Sequence, residues 1–175
     1  MSAINIFRTK KQELVMQWID AVYGSYPLDT TGFLRTKKDD FCNPVGEITT
    51  TMANYCFDAV AGEQILEYKL KDALERFVKL RSVQDFSPSQ GLGVFFAFKQ
   101  FFREAFLEEC IAKGYMGEYL EAESRVDTLC LMAFDIYIAT REVLAESRIA
   151  EIRNGHSQVV RMAQRHNLIP EGTVL

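Results

Sequence analysis

Asp135 is the residue of this chain whose chemistry most needs a partner. It stands inside LCLMAFDIYI, and a carboxylate in an apolar run must meet a cation or a hydrogen-bond donor, or give up its charge. Neighbouring helical segments offer Arg81, Arg103 and Lys99. The spacing therefore predicts a buried ion pair of Asp135 with Arg81 or Arg103, read as structural because buried pairs more often specify packing than perform chemistry. Ligand anchoring is the alternative role. The other reactive residues form no constellation. Both histidines, His156 and His166, fall in a thinly apolar C-terminal stretch and read as solvent-facing or interface residues. Glu121, Glu123 and Asp127 cluster within two turns, but Arg125 lies among them at i,i+4 from Glu121, which describes a solvated charged face. Cys42, Cys56, Cys110 and Cys130 include no CxxC pair and read as reduced thiols, three of them inside apolar patterns and Cys42 the most accessible. The GLG at 91–93 lacks a third glycine and follows a helix, so it reads as close helix packing and not as a phosphate loop. The expectation is a protein that is not an enzyme, with no metal and no cofactor.

These residues need helices to position them, and helical signals fill the chain. Residues 11–25 set Leu14, Val15, Trp18, Ile19 and Val22 at helical spacing before the breakers of YGSYPLDTTG. FCNPVGEI writes a second start: Asn43 as N-cap, Pro44 at N1 where no N–H is needed, and Glu47 in the positive first turn. That helix should reach about Val60 and stop near Gly62. A third runs from Glu63 to Asp85, with a break near Tyr68 and i,i+4 pairs Asp72–Arg76 and Glu75–Lys79. Ser87, Pro88 and Gln90 then spell a capping box, so the polar knot in LRSVQDFSPSQGLG is a tight helix-to-helix corner. The following helix is apolar around most of its circumference and belongs in the middle of a bundle. The last segment, 117–169, carries a buried seam of Val126, Leu129, Cys130, Ala133, Tyr137, Thr140 and Leu144, and Asn154–Gly155 should bend or end it. No strand pattern or repeat is present.

A chain of 175 residues is one domain by size, and its net charge of −4 argues against a nucleic-acid surface. No window is apolar enough to span a bilayer and the start has no signal-peptide pattern, so the expected location is cytoplasmic.

Three motifs in order, NPVG at 43–46, RSVQDFSPSQ at 81–90 and RVDTLCLMAFDIYIATRE at 125–142, resemble the N-terminal domain of RsbT co-antagonist proteins, the RsbRD-type stressosome regulators. The resemblance covers roughly Gln12 to Arg153. It implies an all-α, single globin-like bundle without haem, with a long C-terminal helix: a sensor domain over 1–153 and a helical extension or tail over 154–175. No histidine precedes His156, so a haem would lack a proximal ligand. A STAS output domain of about 100 residues does not fit the remaining length. The expected function is thus a stand-alone signal-sensing or adaptor protein that homodimerises and binds a signalling partner. The dimer contact is expected at Ile149, Ile152, His156 and Val159, near heptad spacing. The alternative is a carrier or sensor of a small apolar ligand, such as a fatty acid, in a pocket of Phe95, Phe98, Phe102, Phe134 and Tyr137.

Overall fold

Helix starts written in the sequence are used by the backbone. A computed structural model describes residues 2–26, 43–84 and 86–166. Among them are six α-helices and no strand: α1 Ala3–Thr9, α2 Lys11–Gly24, α3 Pro44–Ala61, α4 Glu67–Val83, α5 Pro88–Lys113 and α6 Met116–Arg165. The protein is all-α with a long C-terminal helix. Asn43 Oδ1 accepts the Gly46 N–H at 2.8 Å and satisfies one of the orphan donors at the start of α3. Gly62, at φ 84°, closes α3 in the left-handed region that a residue without Cβ adopts freely. The box at α5 is complete: the Gln90 N–H donates to Ser87 Oγ at 3.3 Å and the Ser87 N–H to Gln90 Oε1 at 2.9 Å. Cys42 lies outside the described residues.

Four expectations need correction. The first ten residues carry no helix in the sequence reading, yet α1 forms and buries Ala3, Ile6 and Phe7. Seven residues are too few to hold a helix by propensity, so packing holds it; Phe7 lies 5.0 Å from the rings of both Phe102 and Phe106. The third expected helix starts later, at Glu67. Arg76 pairs with Glu47 of α3 and not with Asp72, whereas Glu75–Lys79 forms at 3.0 Å. Asn154 and Gly155 do not end α6, which stays helical to Arg165.

The chain divides into two compact units, one reaching Ile138 and the other starting at Ala139. In the first, α2 packs on α3 and α5, α3 on α4, α4 on α5, and α1 touches α2, α3 and α5. Phenylalanines fill the centre. Trp18 is fully buried, stacks on Phe98 at 4.2 Å and donates its indole N–H to Val94 O at 2.8 Å. The apolar circumference of α5 is not wholly covered, since Phe96 is 62% exposed. In α6 the seam Val126, Leu129, Ala133, Tyr137 is buried, and Cys130 is half-buried. The second unit is the rest of α6, with Ile149, Ile152, Val159 and Met162 all exposed.

Candidate functional site

The corner between α4 and α5 gathers the most elaborate polar contacts of the first unit. Arg81, in the last turn of α4, is 0% exposed. Its Nη1 donates to Ser25 Oγ at 2.9 Å and its Nη2 to Gln90 O at 2.8 Å, while Nε has no hydrogen-bond partner among the described residues. The guanidinium carbon lies 3.9 Å from the Phe86 ring centre and 5.0 Å from that of Tyr26. No carboxylate among the described residues pairs with it. The cation is held instead by two aromatic faces and by helix C-terminal ends, its own and that of α2 at Ser25, where backbone carbonyls carry partial negative charge. Ser25 passes the bond on, donating to Val22 O. Tyr26 and Phe86 meet edge to face at 5.4 Å, and the Tyr26 hydroxyl bonds Gln84 Oε1 at 3.1 Å. From α6, the Tyr137 hydroxyl donates to Phe86 O at 2.9 Å. A Cβ on Gly91 would sit 3.0 Å from Tyr137 Cε2, so the glycine permits the approach of that ring; Gly93 has no such neighbour. The close packing expected of GLG belongs to Gly91 alone.

Asp135 is exposed and pairs with no cation among the described residues, so the expected buried pair with Arg81 or Arg103 is corrected. Arg103 pairs with Glu123 at 2.9 Å and Lys99 with Asp127 at 2.7 Å. The reason is geometric. Between Leu131 and Ile138 only Ala133 and Tyr137, four apart, are buried, so Asp135 projects with Leu131, Phe134 and Ile138 from the uncovered side of the helix. An apolar run was read as a buried one. Of the three cations offered to Asp135, Arg81 alone is buried, and it meets other groups.

The five pocket candidates separate. Phe98 and Phe102 are packed ring on ring with Trp18, Phe57, Phe7 and Phe106, and Tyr137 belongs to the corner. Phe95 and Phe134 meet at a cavity of about 150 Å³ between α5 and α6, lined also by Leu92, Phe96, Cys130 and Leu131. Phe134 is 48% exposed. Burial raises the Cys130 thiol above its ordinary range, with Asp127 adding to the effect. Ile149, Ile152, His156 and Val159 stand exposed on the later part of α6.

Glu121, Glu123 and Asp127 are engaged separately. Glu121 reaches Arg125 at 3.9 Å, and Arg125 Nε also donates to Val60 O at 2.9 Å. Partial burial opposes ionisation of Glu123, but hydrogen bonds from Tyr119 and Arg103 outweigh it and hold the carboxyl below its usual range. Burial, then the hydrogen bond to that carboxylate, pushes Tyr119 up to about 12 from an ordinary 10.0. A folded-state value above the unfolded one favours the native state below pH 10, and that contribution is lost as the pH rises toward about 12. Comparing tyrosinate absorbance of the wild type with Tyr119→Phe should show the missing group ionising last, together with unfolding. Ionisation alongside the exposed tyrosines would contradict it.

The described residues thus form an all-α bundle with a polar junction of helices and a long C-terminal helix. The family described as RsbT co-antagonist protein rsbRD N-terminal domain matches residues 12–152, and the chain belongs to that family. Membership ties it to stressosome-related signalling. No curated protein and no solved structure gives a significant match.

Proposed function

We propose that this chain is a signal-sensing or adaptor domain that works by homodimerising and docking a signalling protein, not by catalysis. One observation carries the reading: Ile149, Ile152 and Val159 are 49%, 71% and 65% exposed at intervals of three and seven along one helix. Such a stripe is poorly accounted for unless another helix covers it. His156, seven residues beyond Ile149, joins the contact. The sensor domain is taken as 1–153 and the extension as 154–175, in a globin-like, cytoplasmic protein that binds neither haem nor nucleic acid. Both histidines lie beyond the matched residues, which supports the reading without haem. No helix among the described residues is long and apolar enough to cross a membrane.

Sedimentation tests it. The wild type should run as a dimer, and an Ile149→Asp, Ile152→Asp double variant as a monomer with unchanged helix content. A wild-type monomer rejects the dimer, and a double variant that stays dimeric moves the contact elsewhere.

The second reading, a carrier or sensor of a small apolar ligand, is favoured by the cavity between α5 and α6. At about 150 Å³ it falls below the roughly 300–1,000 Å³ of ordinary ligand sites, so it admits a small apolar group and no whole fatty acid. Native mass spectrometry of freshly purified protein separates the readings, since only the second requires a co-purifying molecule.

A further inference from the structure

We propose that the cavity between α5 and α6 is a binding site for one small apolar molecule, a single aromatic ring or a hydrocarbon of that size. The inference rests on the second reading above and gives it a ligand class and a place.

Contacts between the two helices keep one antiparallel register. Arg103 meets Glu123, Lys99 meets Asp127 at 2.7 Å, and further along the Tyr137 ring lies against Gly91. Between the last two contacts the facing positions are Leu92, Phe95 and Phe96 on α5 and Cys130, Leu131 and Phe134 on α6, and these six residues line the cavity of about 150 Å³. The space is thus a gap in a helix pair that is joined on either side of it. A shift of α6 does not close it, because Leu129, Ala133 and Tyr137 are already buried in the core and Met132 and Ile136 pack against that core as well.

The lining decides the ligand. Its side chains are three phenylalanines, two leucines and a cysteine, and mid-helix backbone groups are hydrogen-bonded within their own helices. A water there would have only the Cys130 thiol, a weak partner, where it needs about two to four polar groups. Such a space is poorly hydrated, and an apolar group that fills it displaces no well-held water. Size points the same way, since an engineered apolar cavity of about 150 Å³ in another protein takes up benzene or xenon. The floor is core, with Leu92 and Phe95 buried, while Phe96, Leu131 and Phe134 stand exposed around the mouth. An entry path is open, and an ionic head group finds no partner in the lining.

Fluorobenzene is the probe, titrated into the full chain and followed by fluorine NMR. A saturable shift and broadening of its resonance is expected, reversed by benzene but not by triethylbenzene, which is too large, or by decanoate, which carries a charge. Cys130→Phe puts a ring into the space and should abolish the effect. Two variants at exposed rim positions repeat the test where the fold is not at stake. Phe96→Ala removes one wall and should weaken binding about five-fold, and Leu131→Lys sets an ammonium at the mouth and should weaken it too. Uptake that is the same in both rim variants as in the wild type overturns the site but leaves the reading of a small apolar ligand standing, with its pocket elsewhere. Reversal by decanoate does likewise, in favour of a longer ligand. A wild type that takes up no fluorobenzene also overturns the site, and the reading falls with it only where native mass spectrometry finds no co-purifying molecule.

Discussion

Phe102→Ala should lower the free energy of unfolding by about 3–5 kcal/mol, the largest effect expected of any single phenylalanine here. The ring is 0% exposed and meets Phe106 at 4.8 Å, Phe7 at 5.0 Å, Phe98 and Tyr119 at 6.0 Å and Phe57 at 6.5 Å. It thus joins α1, α3 and α6 across α5. Truncation removes the transfer free energy of a buried ring, and the surrounding rings belong to four different helices and cannot all move in to fill the space, so a cavity term adds to it. The check is urea unfolding, with a lower midpoint and an unchanged slope. Phe96→Ala on the same helix is the internal control. With its ring 62% exposed, it should stay within about 0.5 kcal/mol of the wild type. Equal losses for the two would mean that the buried face of α5 is assigned wrongly.

The legible part of the fold was the part encoded by local rules. Asn43–Pro44, Ser87–Pro88–Gln90 and Gly62 act through hydrogen bonds and backbone angles within a few residues, so their types and spacing suffice to place helix ends. α1 was illegible for the opposite reason, since its support is Phe7 against rings nearly a hundred positions away. Asn154 and Gly155 are weak helix formers, but their penalties are small beside the continuity of a helix already formed. The site was legible in outline only. A corner could be read at 84–90, and Arg81 only as one of three candidate partners for Asp135. Nothing local says that Tyr137 closes on Phe86 or that the charge rests on aromatic faces and helix ends. Asp135 shows the limit most clearly: hydropathy reports how apolar a segment is, and a surface helix can carry an apolar run that no neighbour covers.

That resting place for the charge leads to a prediction opposite to the usual ranking of substitutions: Arg81→Lys should cost more than Arg81→Met. The wild-type guanidinium fits because it is planar, weakly hydrated, seated over the Phe86 ring at 3.9 Å and able to reach Ser25 and Gln90 at once. Met keeps the length and the contact with the rings and removes the buried charge. It gives up two hydrogen bonds, but the Ser25 hydroxyl keeps its bond to Val22 O, so a loss of about 1–2 kcal/mol is expected. Lys keeps the charge and loses the fork, leaving a strongly hydrated ammonium between two rings with no carboxylate among the described residues to receive it. A loss of about 3 kcal/mol follows. The two variants should also differ in pH dependence. Burial disfavours the charged form of the introduced amine, so the unfolded chain binds more protons than the folded one, and the stability of Arg81→Lys must rise with pH across about pH 7 to 9. Arg81→Met has no group to titrate there and should follow the wild type. Denaturant midpoints of the three proteins at both ends of that range decide the matter. If Arg81→Lys matches the wild type and stays flat with pH, the corner is not organised around the guanidinium.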